Sequence, residues 1–537
     1  MAQTLRQLTL AAAGEGLVLL PLLPGLVPVF APALVAGHWQ TLFADPQVRA
    51  ALGTTVLTAV GSSLLALLLA CGLALALHPG KHWHPLQRQL PLLLAFPHAA
   101  FAIGLAFLLA PSGWLARGLA PVWGWSAPPQ WVTVQDPYGL TLLLALALKE
   151  SAFLLWVLAG LLGEQWLTRQ MTIAHSLGYG RWQTAWYIIL PQLLPRLAWP
   201  LLAVFAYSLS VVDMALILGP STPPTLAVLG WQWFSDPDPA TQVKGHLVAV
   251  LLLLLLLAGV GVARSIFWGL RQWGKEPTGV RWETRSGGGG EGLIGKTAFL
   301  VPSYLALCTL LLWSVAGAWF FPALLPAGLT LEYWQRADFQ PLFTTLLLSG
   351  CTVLLALPLC LLWLEWGSRW QGWLYFPLVL PALPLAAAQY QVLLHLHLDN
   401  TALGVVWSHL AWVLPYMILV LAGAYHSLDP RYLLTAKALG YSHWQACWRI
   451  KWPILLRPIL AALAVGFAVS VTQYLPTLFA GGGRIETVTT EAVALSAGGN
   501  RHTLAVQAVL QAILPLLAFA LAGLLGWLHV RRHLGLR

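Results

Sequence analysis

The chain has 537 residues, of which 58% are hydrophobic and only 9% charged, with a formal net charge of +10 and a mean hydropathy of +0.74. A soluble domain carries about 25% charged residues, so the composition excludes a water-soluble globular protein and commits much of the chain to lipid. The basic excess is no nucleic-acid footprint, because it follows a membrane topology.

Apolar runs long enough to cross a hydrocarbon core of about 30 Å as helices fall at residues 12–32, 53–77, 90–111, 139–162, 197–219 and 246–270, then at 297–321, 342–364, 373–396, 402–425, 458–480 and 505–530. The first lacks a basic start and an Ala-x-Ala exit, so it reads as a retained span and not a signal peptide. Twelve spans place both termini on one side. With that side inside, the inner segments hold 21 Lys and Arg, the outer segments hold six, and Lys149 lies within a span. This is the positive-inside pattern, so both termini are expected in the cytoplasm of a multi-pass protein of the bacterial inner membrane. Five cysteines form no Cys-x-x-Cys pair. Cys71, Cys308, Cys351 and Cys360 lie in apolar runs and read as small buried hydrophobes.

Along the first half, residues 112–138 form an outer connection rich in Trp and Pro (Trp114, Trp123, Trp125, Pro128, Pro129), a candidate lid, docking edge or interfacial anchor. The fourth run carries Lys149 and Glu150 mid-span. Ionisable groups there are costly and are functional candidates by default; as sequence neighbours the two point about 100° apart, so each needs its own partner. A polar segment, 163–196, follows. The fifth run then carries Tyr207, Ser208, Ser210 and Asp213. These could line a path for a polar or cationic solute, or hold the bundle by helix–helix hydrogen bonds.

Residues 271–296 form a glycine-rich linker between a first repeat, 1–270, and a second, 297–537. Gly290-Glu291-Gly292-Leu293-Ile294-Gly295-Lys296-Thr297 matches the phosphate-loop pattern, which needs a preceding buried strand in an α/β domain. Three more glycines, Gly287–Gly289, precede it and a span follows, so it reads as a decoy. In the second half, His395-x-His397-x-Asp399 has a spacing that splays ligands apart on a helix, and no metal site is expected. The run 458–480 repeats a polar cluster at similar depth: Ser470, Thr472, Gln473 and Tyr474.

The most informative feature is a duplication. Ala174, Leu177, Gly178, Tyr179, Trp182, Trp186, Ile188 and Pro191 recur 262 positions on as Ala436, Leu439, Gly440, Tyr441, Trp444, Trp448, Ile450 and Pro453. Each copy predicts a short helix stopped by glycine, then a second helix with two Trp spaced i, i+4 on one face, then a break at proline. Ala174 and Ala436 would let a partner's backbone approach closely. A second match, Leu52–Leu57 beside Leu342–Leu347, has an offset of 290, so the difference of 28 falls mostly in the outer connection. The expected fold is an all-α integral membrane protein of about twelve transmembrane helices in two parallel six-helix repeats.

These loops resemble the cytoplasmic signature of binding-protein-dependent ABC transporter permeases: a Glu-Ala-Ala triplet, then Gly, then Ile-x-Leu-Pro. Gly178 with Ile188-x-Leu190-Pro191 keeps the spacing, and Gly440 with Ile450-x-Trp452-Pro453 keeps all but the Leu. Thr172-Ile173-Ala174 and Leu434-Thr435-Ala436 retain only the last Ala of the triplet. The whole chain is similar to fused, two-repeat permeases of thiamine, ferric-iron and related type I importers. Within them it is similar to the YnjC-type branch through Phe96–Phe101, Gln130–Gly139 and Val211–Leu216.

The resemblance implies that each loop helix sits in a cleft of a separate ATPase subunit, two copies per chain. It further implies a periplasmic solute-binding protein that delivers cargo, ATP and Mg bound only by the partner, and helix five lining the path. The chain itself would bind no cofactor and be no enzyme. Two other classes compete. A twelve-span secondary transporter would show a charged Gly-x-x-x-Asp-Arg-type loop after span two, where His78–His84 stands instead. A membrane-embedded enzyme would need a metal or nucleophile cluster that does not stand out.

Overall fold

A computed structural model describes Gly16 and residues 22–273, 290–366 and 375–534. The glycines of the linker at 287–289, and residues 12–15 and 17–21 of the first apolar run, lie outside the described residues. Among those described there is no strand, only an isolated bridge between Ala316 and Leu329. Eight helices are long and apolar enough to cross a membrane, or up to eleven when three bent pairs each count as one span. The expected all-α membrane fold is therefore met, although twelve separate crossings are not counted.

The long helices sort their residues by size. On Pro46–Leu77, the small residues Thr55, Ala59, Ser62, Ala66 and Ala70 are buried, while Leu57, Leu64 and Leu68 are exposed. Gln340–Trp366 likewise buries Thr345, Ser349, Thr352 and Ala356 and exposes Phe343, Leu347 and Leu354. Leucine gains little by leaving lipid for a neighbouring helix, whereas small residues let backbones approach closely. Pro46–Leu77 packs on Leu140–Leu162, and Gln340–Trp366 packs on Ala402–Ser427. The first partner is capped by Asp136, which accepts from the Leu140 and Thr141 amides at 2.8 and 3.1 Å. The second is capped by Thr401, which accepts from Gly404 at 3.1 Å.

Several predicted runs are not continuous helices. The third breaks between Trp83–Ala95 and His98–Leu109, and the ninth between Phe376–Val379 and Ala382–His395. Pro97 and Pro381 stand just before the second segments, where a missing amide hydrogen costs least. The fifth and eleventh runs are also discontinuous. Ala198–Ser210 gives way to Asp213–Leu218, and Leu456–Val471 to Leu475–Gly481. Each is followed by a further short helix, Leu226–Phe234 and Val488–Ser496. Cys308 and Cys351, expected to be buried, are exposed on the apolar surface. Residues 290–297 are already helix, within Gly290–Val315, so the phosphate-loop pattern is no loop.

The outer lobe of the first half contains the helix Trp114–Trp123. Arg117 is buried within it and donates to the Phe320, Ala323 and Trp319 carbonyls at 2.8, 2.9 and 3.3 Å, with its guanidinium 4.7 Å from the Trp319 ring centre. One side chain thus fastens the lobe to the start of the second half.

Candidate functional site

Each polar loop folds as the duplication requires. Gln165–Ser176 and Arg431–Ala438 end at Gly178 and Gly440, whose φ angles are +84° and +86°. Only glycine enters this left-handed region without strain. The Tyr179 amide returns to Ala174 O at 3.0 Å, and Tyr441 to Ala436 O at 3.1 Å. The second helices run Arg181–Leu193 and His443–Ile454, meeting the next spans at bends of 75° and 78°. Leu177, Trp182 and Trp186 are exposed, as are Leu439, Trp444 and Trp448, so both loops present an aromatic face.

Two expectations are corrected. Ala174 and Ala436 are each 1% exposed, so their small size serves packing within the loop and not the approach of a partner. Pro191 and Pro453 do not break the helices. A π turn, Ala185–Ile189 or Cys447–Lys451, precedes each proline and shifts the hydrogen-bond register so that the helix continues to Leu193 or Ile454.

Both loop helices are tied to the end of a long helix, by different chemistry. In the first half, Arg181 donates to Leu75 O at 2.9 Å and His78 O at 3.1 Å. In the second, Glu365 contacts His443 Nε2 at 2.9 Å through Oε1, while its Oε2 accepts from Lys451 at 2.7 Å and Tyr425 at 2.5 Å. Glu365 stands 290 positions after Leu75, and His443 stands 262 after Arg181, so the two ties occupy equivalent places. Nearby, Arg196 bonds Glu164 at 2.7 Å. That bond and one from the Trp166 indole hold the Glu164 carboxyl below its usual range.

At the other end of the long helices the equivalence is closer still. The Leu226 amide donates to Thr55 Oγ1 at 2.8 Å, and the Val488 amide donates to Thr345 Oγ1 at 3.0 Å. Thr55 and Thr345 are 290 apart; Leu226 and Val488 are 262 apart.

The polar residues of the spans form two groups that meet where Glu150 faces His98. Lys149 is buried and donates to Leu93 O at 2.8 Å and Phe96 O at 2.6 Å, capping the carbonyl end of Trp83–Ala95. Glu150 faces His98 Nε2 at 3.2 Å, so the neighbours do point to separate partners. Ser210 accepts from the Ala382 amide at 2.9 Å, joining the broken spans of opposite halves. Thr472 donates to Val469 O at 2.9 Å, and Gln473 follows it at the second break. The other group lies around Asp213, the first residue after the first break. Asp213 interacts electrostatically with His98, Tyr207 and Tyr474, and the His98 and Tyr207 rings lie 4.9 Å apart. Sequence reasoning missed His98 and also His409, which bridges Ser470 at 2.8 Å and Thr477 at 2.9 Å across the second break. Both sit in largely apolar runs, and only their being ionisable could have flagged them.

Among the described residues, His395, His397 and Asp399 form no metal-holding group; the group that does converge is Glu365, His443 and Cys447, with ligand atoms within 4.8 Å of one another.

No family profile matches the chain. It is 42% identical over 518 residues, 96% of each chain, to the inner membrane ABC transporter permease protein YnjC of Escherichia coli (strain K12). It is also 28% identical over 114 residues to a spermidine/putrescine transport system permease protein PotC homolog of Mycoplasma genitalium, covering 21% of this chain and 40% of that one. A PotC homolog of Mycoplasma pneumoniae is 27% identical over 207 residues, 36% of this chain and 70% of its own.

Proposed function

The chain belongs to the inner membrane ABC transporter permeases, and on that premise we propose that its two loop helices are the handles by which separate ATPase subunits drive it. It is a multi-pass permease subunit of an ABC importer. ATP and Mg belong to the partner, two ATPase copies engage one chain, and a periplasmic solute-binding protein supplies cargo. Both termini and both loops then face the cytoplasm. The observation that carries this is the pair of exposed aromatic faces, held at matching left-handed glycines 262 positions apart. An exposed Trp pair on a helix of a membrane protein is well suited to a cleft on a soluble partner.

The mechanism follows from how the loops are fastened. Closure of an ATPase pair draws the loop helices together. Each pulls on the long helix to which it is tied, by Arg181 in one half and by Glu365 in the other. The far ends of those helices hold the short helices Leu226–Phe234 and Val488–Ser496 through Thr55 and Thr345. The halves rock and alternate the exposure of the path between them.

For the path, the group around Asp213 supports contact with a polar or cationic solute: a carboxylate beside the phenols of Tyr207 and Tyr474, at breaks where backbone is freed from helix hydrogen bonding. The test is reconstitution of the purified chain with candidate ATPases, reading stoichiometry by native mass spectrometry and uptake in vesicles. Two ATPases per chain and ATP-dependent uptake are expected; uptake driven by an ion gradient with no ATPase captured would overturn the proposal.

A further inference from the structure

We propose that Glu365, His443 and Cys447 form a binding site for a zinc-class divalent cation that locks the second loop helix to its long helix. The three side chains supply one carboxylate oxygen, one imidazole nitrogen and one sulfur, a donor set that suits zinc with water as a fourth ligand. His443 Nε2 lies 2.9 Å from Glu365 Oε1 and 3.7 Å from Cys447 Sγ. Tetrahedral zinc with bonds of about 2.0 Å to N and O and about 2.3 Å to S needs edges of roughly 3.3 Å for O–N and 3.5 Å for N–S, so these two edges need adjustments of only a few tenths of an ångström, and all three ligand atoms already lie within 4.8 Å of one another.

The surroundings orient the donors. Lys451 and Tyr425 both bind Oε2, which leaves Oε1 turned toward the imidazole and thiol. Such outer contacts fix metal ligands. The nearby ammonium is no obstacle, because carboxylate and thiolate together neutralise a dication and Lys451 then faces a neutral complex. On binding, Cys447 gives its thiol proton to solvent, so apparent affinity rises with pH.

The first half shows that fastening a loop helix does not require this set. The equivalents of Glu365, His443, Cys447 and Lys451 are Leu75, Arg181, Ala185 and Ile189, and these line a cavity of about 260 Å³. That half ties its helix by Arg181 to carbonyls alone. The cluster is therefore an addition to one handle, and a cation there would stiffen the second half alone. Only that consequence for transport rests on the loops being handles; the binding does not.

The experiment titrates cobalt(II), then zinc, into the full purified chain in detergent. One cobalt per chain is expected, with a thiolate-to-metal charge-transfer band that zinc abolishes. C447S should lose the band, and H443Q should weaken binding at least tenfold. Absence of the band in the wild type, or its persistence in C447S through Cys71, Cys308, Cys351 or Cys360, would overturn the site. In vesicles with the ATPase, zinc should slow wild-type uptake reversibly with chelator and leave C447S unaffected. Equal inhibition of both would overturn the lock.

Discussion

Gly440 offers the sharpest test of how the loops are built. Its φ is +86°, and a Cβ added there would meet nothing within 4 Å. Any cost of substitution is thus backbone strain and not collision. An L-residue in the left-handed region costs roughly 1–2 kcal/mol, less for Asn, which tolerates that region, and more for a β-branched side chain. Relief by unwinding would forfeit the bonds from Gly440 N to Lys437 O at 3.0 Å and from Tyr441 N to Ala436 O at 3.1 Å, each worth about 0.5–1.5 kcal/mol. Strain and cap are comparable, so Val shifts the loop between its two conformations by roughly 5–30-fold. In vesicles reconstituted with the ATPase, uptake should fall in the order Gly, Asn, Ala, Val, while ATP hydrolysis persists. G178V/G440V together should uncouple hydrolysis from transport. Wild-type uptake from that double variant, or Asn as damaging as Val, would refute the reasoning.

Thr55→Val and Thr345→Val should each lower stability by about 0.5–2 kcal/mol through the lost cap on the following short helix. Their effects on thermal denaturation in detergent should add, since the sites are separate. Lys149→Met should cost about 1.5–3 kcal/mol by stranding the Leu93 and Phe96 carbonyls, read as a lower melting temperature; an unchanged one would remove its role as a cap. Arg117→Ala should free the outer lobe from the Trp319, Phe320 and Ala323 carbonyls, seen as faster amide exchange across residues 112–138 with the rest of the chain unchanged. Asp213→Asn should abolish uptake while the ATPase complex still assembles and hydrolyses ATP; loss of folding would instead make Asp213 a structural residue.

Much of the loops was legible because their chemistry is local. A glycine that must be left-handed, two Trp at helical spacing and a following proline announce a turn and a face without reference to the rest of the chain. What the sequence hid depends on distant contacts. Val211 and Val212 continue an apolar run, and nothing in their type marks a break; the Ser210 hydroxyl that meets the Ala382 amide comes from one half and its partner from the other. Ala174 looks like a surface residue for a partner until it is found 1% exposed, at the turn where the Tyr179 amide returns to its carbonyl. His443 and Cys447 are one helical turn apart, but Glu365 stands 78 positions before His443, too far in sequence for the three to be read as one cluster.

The ties at both ends of the long helices explain why the halves can work as a pair despite different chemistry. From Thr55 to Leu75, and again from Thr345 to Glu365, there are 20 positions, about 30 Å of helix. Each half thus has a rod of one length, pinned at one end to a loop helix and at the other to the short helix after a broken span. At the loop end, Arg181 on carbonyls is replaced by Glu365 with His443 and Lys451. At the far end both halves use a threonine hydroxyl under a free amide. The rods differ in Pro358, inside the second helix only, where a missing amide hydrogen weakens the ladder. What the halves share is the length of the rod and the places where it is pinned, and the proposed symmetric pull needs no more than that.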